Sequence, residues 1–214
     1  MIKSVAVLGL GKFGQKLAET LYNNGVDVIV ADEDEEIVNH FSTKSTLAQV
    51  ADLMDEESLK ELGLSNVDTV VICMARHVEA SLMCAMVAKE LGVKYVLAKA
   101  STKRMEDILY KVGCDKVINI EEEAAIREAR KLIATDFIDY FDLDDNLCII
   151  NMKPKDSWVG KNLKELNLRE KFNVNVVAIK EKDGLTSHIN PDMPLTKDST
   201  LLLVTEKNNL RKLE

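Results

Sequence analysis

The sequence is poor in the residues that build most chemical sites. Its 214 residues include three histidines, three prolines, one tryptophan and four cysteines, and aromatic residues make up 5%. His40, His77 and His188 are scattered without metal-ligand spacing, so a zinc site is not expected. Cys73, Cys84, Cys114 and Cys148 form no C-x-x-C pair and lie among apolar or turn residues. They read as reduced thiols packed as small hydrophobes. Positive charge is not in excess either. With 28 Lys and Arg against 36 Asp and Glu, the formal net charge is −8. A nucleic-acid partner needs a basic face to displace counterions, so the balance argues against that class. No apolar run approaches the roughly 20 residues of a membrane span, and no signal peptide is visible. The expectation is a cytoplasmic chain with no direct membrane insertion; any role at a membrane would need another subunit to cross it.

What is present is a packed core in the making, since 46% of residues are apolar. Short apolar runs alternate with helical patterns. Val5-Ala6-Val7-Leu8 reads as a buried strand, followed by Phe13, Leu17, Leu21 and Tyr22 at helical spacing. Further strands are expected at Val26–Ala31, Thr46–Val50, Val67–Cys73, Tyr95–Ala98 and Val117–Ile120. The helices between them stop at Gly63, Gly92 and Gly113. Near-continuous apolar strands separated by helices imply a parallel sheet covered on both faces, doubly wound by right-handed crossovers. One more helix, Glu121 to Ala134, carries Ala125, Ile126, Ala129, Leu132 and Ile133 as a stripe among charges. That stripe would pack on another subunit or on the next domain.

Beyond Thr135 the pattern changes. Asp136 to Asp145 is acidic and reads as a linker. Strands are expected at Cys148–Ile150, Val174–Ile179 and Leu201–Val204, a short helix at Leu163–Leu168, a hairpin turn at Lys182-Asp183-Gly184, and a loop at Asn190–Pro194. The expected fold is thus α/β: a Rossmann-like doubly wound parallel sheet in residues 1–134, then a small α+β domain in residues 135–214. A module of about 70 residues is near the lower size for a lone domain, so dimerisation is a reasonable way for it to gain core.

Gly9-Leu10-Gly11-Lys12-Phe13-Gly14 satisfies G-x-G-x-x-G, follows a strand and opens a helix. Gly9 permits the tight turn, Gly11 lets the backbone approach a diphosphate, and Gly14 lets helix pack closely on strand. The helix N-terminus offers N–H groups and partial positive charge to phosphates. Asp32 ends the second strand 18 residues after Gly14, where a carboxylate accepts from both ribose hydroxyls of an adenosine. A 2′-phosphate would meet Asp32 and Glu33, so NADP is disfavoured. Asp32 also reads as a helix cap for Glu35-Glu36. Lys12 would reach terminal phosphates or stand in solvent. Asp52 would receive the adenine amino group, Met74 and Ala75 would line the adenosine, and Lys99 is a second candidate for phosphate charge, all by their places at strand C-terminal ends.

Catalytic machinery is missing. No His/Asp or Ser/Tyr/Lys constellation serves hydride or proton transfer, and only about 80 residues follow the Rossmann unit, small for a substrate domain. A nucleotide site without that machinery suggests a sensor and not an enzyme. The alternatives are a small NAD(H)-dependent oxidoreductase or a stand-alone nucleotide or redox sensor.

These residues resemble the RCK (KTN) regulatory subunits of Trk/Ktr-type potassium uptake systems, the TrkA family. The likeness runs through Val7–Gly14, Val30-Ala31-Asp32, Ala51-Asp52-Leu53, Leu62-Gly63-Leu64, Val96–Ala100 and Val112–Ile118. The run Gly113 to Glu121 is the most telling, because ordinary dehydrogenases lack it. Val159–Leu163, Leu166–Arg169 and Leu201–Val204 are similar to the RCK C-terminal domain. The resemblance implies a cytoplasmic ring, octameric and built from homodimers, docked at the inner face of the cell membrane on a potassium-translocating subunit. It implies gating by ATP and ADP, or in some members NAD or NADH. It places Leu10, Phe13, Leu53, Arg76 and Ala100 in the nucleotide site beside the residues above. Lys12 stands where Ktr-type members carry arginine, keeping the charge without the bidentate fork. Met105 replaces a polar residue of some members. Glu121 matches an acidic position that holds a divalent cation between phosphates of paired subunits; it also reads as a plain first-turn carboxylate. Some members bind cyclic di-AMP between C-terminal domains, in a region comparable to Leu168, Arg169, Val174, Asn190 and Pro191.

Overall fold

In the computed structural model, residues 2–133, 137–144, 146–182 and 184–213 are described. The chain divides into two compact units, residues 1–122 and 123–214.

The first unit is a six-stranded parallel sheet in the order β3-β2-β1-β4-β5-β6. Its strands are β1 (Ser4–Leu8), β2 (Asp27–Asp32), β3 (Leu47–Val50), β4 (Thr69–Ile72), β5 (Tyr95–Lys99) and β6 (Lys116–Ile118). The helices are α1 (Lys12–Asn23), α2 (Glu35–Phe41), α3 (Glu56–Glu61), α4 (Val78–Glu90) and α5 (Lys103–Val112). α6 (Ile120–Ile133) begins in this unit. The expected doubly wound order is present, and it reverses between β1 and β4.

The two-sided burial of the strands is visible in alternate residues. Val5, Val7, Val28, Val30 and Val71 pack with Ala18, Val38 and Phe41 of α1 and α2. Ala6, Leu8, Ala31, Val70, Ile72, Val96 and Ala98 join Leu59, Cys84, Ala88, Met105 and Leu109 of α3, α4 and α5. All four β4 residues are buried, as a strand covered on both faces must be. β4 is shorter than the expected Val67–Cys73: a 3-10 turn at Leu64–Asn66 precedes it and the chain leaves the sheet after Ile72. α6 starts one residue earlier than expected, with Asn119 accepting from the Glu122 N–H and donating to the Glu122 carboxylate. On α6, Ile126 and Leu132 are exposed. The side chains of Arg130, Lys131 and Ile133, and residues 134–136, lie outside the described residues.

The second unit is a five-stranded antiparallel sheet, β10-β9-β11-β8-β7. Its strands are β7 (Phe137–Asp142), β8 (Leu147–Met152), β9 (Val174–Glu181), β10 (Gly184–Thr186) and β11 (Thr200–Glu206). The acidic stretch expected to be a linker is therefore largely a strand. Asp139 and Asp142 sit on an edge, where charge is tolerated and blunts further pairing, while Tyr140 turns inward against the core. The single helix expected at Leu163–Leu168 is two short ones, α7 (Leu163–Leu166) and α8 (Leu168–Phe172). They are separated by Asn167 in the left-handed conformation at φ 45°. Asn tolerates that region because its short amide bonds locally. Gly184 pairs with Glu181, so β9 and β10 join across Lys182 and Asp183, and Asp183 lies outside the described residues. Cys148, Ile150, Met152, Leu201, Leu203, Trp158 and Leu168 form the core on one face of this sheet.

Candidate functional site

The C-terminal ends of β1 and β4 separate where the strand order reverses, and a cleft of about 450 Å³ opens there. Three glycines make the turn above β1. Gly9 has φ +91°, a conformation that a side chain disfavours, and a Cβ there would come within 2.5 Å of the Met74 Cγ. A Cβ on Gly14 would stand 2.0 Å from the Gly9 carbonyl oxygen, so α1 reaches the turn only because Gly14 has no side chain. At Gly11 nothing lies within 4 Å of the position a Cβ would take. Its bareness serves no packing within the chain. The open space lies at the mouth of the cleft, where a phosphate would need it.

The N-terminus of α1 differs from those of α2 and α3. Asp34 caps α2 and Asp55 caps α3, and each of those helices has two glutamates in its first turn. α1 has Gly11 at its N-cap, so it has no side-chain cap, and no acidic residue lies in its first turn. Its first N–H groups are left to an outside acceptor, and the helix dipole favours an anion there.

Asp32 is placed by β2 beside this turn. It accepts from the Leu10 N–H and from the Asp34 N–H. The helix cap is Asp34, whose Oδ1 accepts from Glu36 and Ile37. Asp32 instead braces the glycine turn, and each carboxylate oxygen keeps a lone pair for a ribose hydroxyl.

Of the residues expected at the site, Gly9, Gly11, Asp32, Glu33, Asp52, Leu53, Met74, Ala75, Arg76, Lys99 and Glu121 line the cleft together. Leu10, Gly14 and Ala100 are buried, and they shape the walls without lining them. Lys12 is exposed at the start of α1, and Phe13 is half-buried beside it; neither lines the cleft. Met54, Cys73, His77, Ala80 and Ser101 line it and were not read from the sequence. Cys73 is a free thiol packed against the core, as expected, but it also reaches the cleft. It is half-buried at the cleft wall, where burial pushes its thiol up to about 12 against a smaller opposing pull from Lys99. Such a thiol is not a nucleophile near neutral pH.

Lys99 ends β5 with its side chain 14% exposed, and its ammonium donates to the Glu121 carboxylate at 2.7 Å. That hydrogen bond, with Arg76 adding a smaller attraction, holds Glu121 below its ordinary range. Among the described residues, no group of three or more His, Cys, Asp or Glu side chains gathers to hold a metal ion.

The residues expected to meet cyclic di-AMP are split. Leu168 and Val174 are in the core of the second unit, while Arg169, Asn190 and Pro191 are exposed. The Pro191 carbonyl accepts from the Lys164 N–H, and Lys164 pairs with Asp192 at 2.8 Å.

No helix among the described residues is long and apolar enough to cross a membrane. Comparison with known proteins gives two family matches. The TrkA-N domain model matches residues 5–120 and the TrkA-C domain model residues 148–214. Ktr system potassium uptake protein C of Bacillus subtilis (strain 168) is 30% identical over 215 residues, covering 100% of this chain and 97% of that one. Ktr system potassium uptake protein A of Vibrio alginolyticus is 31% identical, covering 94% and 91%. Among solved structures, the GsuK channel bound to NAD superposes with a TM-score of 0.68 at 16% identity. That match covers 100% of this chain but only 39% of the channel chain, so it shows the fold alone. The chain belongs to the TrkA family and carries both of its domains, TrkA-N and TrkA-C.

Proposed function

We propose that this chain is a nucleotide-sensing regulatory subunit that works from the cytoplasmic side on a membrane potassium transporter of the Trk/Ktr type. The observation that carries the reading is the bare Gly11 beside an uncapped α1, in a chain that matches a Ktr potassium uptake protein over its whole length. The cleft has room for an adenine nucleotide, and the residues present fit one. Gly9 and Gly11 with the first N–H groups of α1 would hold phosphates. Asp32 would take the ribose. Asp52, Leu53, Met74 and Ala75 would border the base, with Met54 and His77 beside them. Lys12, Arg76 and Lys99 supply positive charge. Glu33 next to Asp32 repels a 2′-phosphate. ATP and ADP are the leading ligands, with NAD(H) as the other adenine dinucleotide that fits; the nucleotide contributes phosphate charge and no chemistry of its own.

The chain acts as a regulator and not as an enzyme. The support for this is that the relatives are named for potassium uptake. Two nucleotides shift a transporter only if they favour different states of the regulator. Assembly into homodimers and an octameric ring is supported by apolar surface, notably Ile126 and Leu132 on α6 and Phe141 on β7. Glu121 holding a divalent cation with the phosphates, and Arg169, Asn190 and Pro191 meeting cyclic di-AMP, belong to the same reading.

The test is potassium flux through the partner transporter with the regulator loaded with ATP or with ADP. Different flux is expected, and equal flux at saturation of each would sink the proposal. A thermal-shift panel with ATP, ADP, NAD, NADH, NADP and cyclic di-AMP ranks the ligands, because binding raises the melting temperature by mass action. A response to NADH alone would replace ATP and ADP in the reading.

A further inference from the structure

The cleft already contains an anion of its own. Lys99 is 14% exposed and points its charge into the cleft, whereas its partner Glu121 is 68% exposed and comes to it from the solvent side. Two other carboxylates of the cleft have different tasks: Asp32 braces the glycine turn, and Asp52 accepts from the Met54 N–H. Glu122, the next residue along, bonds back to Asn119 at the start of α6. Glu121 is the carboxylate that neutralises the lysine.

We infer that Glu121 is an intramolecular competitor for Lys99: its carboxylate occupies the ammonium that a ligand phosphate needs, and has to be displaced before Lys99 can meet that phosphate. The inference rests on the nucleotide reading above. The pair suits displacement, because an ion pair half open to water contributes only a factor of a few to an equilibrium. A phosphate carrying more charge than a carboxylate outbids it. Glu121 lies in the first turn of α6, and α6 runs on past residue 122 into the second unit.

The experiment is calorimetric titration of the full chain with ADP in EDTA, which removes any cation that Glu121 would otherwise hold. Wild type, Glu121→Gln, Lys99→Gln and the double variant form a cycle, with Glu122→Gln as a control for general charge. Glu121→Gln is expected to bind ADP roughly threefold or more tightly than wild type, the scale of a part-exposed ion pair. That gain should vanish in the Lys99→Gln background and be absent in Glu122→Gln. Adenosine, which has no phosphate, should bind wild type and Glu121→Gln alike. Unchanged or weaker ADP binding by Glu121→Gln overturns the inference, and so does an equal gain without Lys99 or in Glu122→Gln. If no variant binds ADP, the nucleotide reading falls and this inference with it. If wild type binds and the gain is missing, only this inference falls.

Discussion

β4 of the first unit buries all four of its residues, while β8 of the second alternates. Cys148, Ile150 and Met152 are buried, and Leu147, Ile149 and Asn151 are half-buried. A parallel sheet clad in helices on both faces has no face left to offer, so its only opening is at the strand ends, where the cleft is. The antiparallel sheet has one core face. Its other face shows a row in register, Phe141 opposite Ile149 and Ile149 opposite Val204. The difference teaches what each unit leaves open: the first a concave end of a size for a small ligand, the second a partly apolar face.

That division of labour is open to attack by substitution. The largest effect is expected from Ile150→Ala, which empties a fully buried position in the second core and should cost about 2–5 kcal/mol. Denaturant unfolding measures it, and ADP affinity at the first unit should be unchanged; a loss of affinity would break the separation. Gly14→Ala comes next. Its Cβ meets a backbone carbonyl that cannot swing away, and the expected cost is about 1–3 kcal/mol. Gly11→Ala, three residues earlier, should barely move the melting temperature, because the added methyl enters open space. Titration should nonetheless show ADP binding weakened tenfold or more, since that space is what a phosphate would use. If Gly11→Ala destabilises the fold instead, the distinction between a packing glycine and a ligand glycine collapses.

The smallest effect concerns the closed end of the same sheet. Asp68 accepts from the N–H groups of Lys3 and Ser4, and these bonds lower its carboxyl below the ordinary 3.8. A carboxyl lowered by folding stabilises the folded state in full above its unfolded value and loses that contribution as pH falls through its folded value. Asp68→Asn should therefore lower the melting temperature slightly at neutral pH. The gap from wild type should begin to narrow as pH falls below about 3.8 and close only once the pH is below the lowered folded value. A gap that persists in acid would mean that Asp68 works by shape and not by charge.

Much of the first unit was legible in the sequence, because two-sided burial writes unbroken apolar runs such as Val5–Leu8 and because the glycine turn has fixed spacing. The second unit was less so. Asp139 and Asp142 made β7 look like a linker, since an edge strand can carry charge that a central one cannot. The site followed the same logic. Residues at strand ends, Asp32, Asp52 and Lys99, were found by position. Met54, His77, Ala80 and Ser101 were not, because they lie further along the loops or in the next helix, where neither periodicity nor motif marks them. The available signal was the rule of strand ends itself, extended a few residues past Ile72 and Lys99. The Lys99–Glu121 pair spans 22 residues and is fixed by how β5 and α6 lie together; spacing alone does not reveal it.

The walls of the cleft carry one last consequence. Asp32, Glu33, Asp52 and Glu121 face Arg76 and Lys99, so fixed anions outnumber fixed cations. Most pockets for polyanions lose affinity steeply as ionic strength rises, because salt masks their attraction. Here dissolved ions mask repulsion as well. If the cleft holds a nucleotide as proposed, its affinity should be nearly flat across ionic strength, a useful property in a protein whose relatives are named for the uptake of an abundant salt cation.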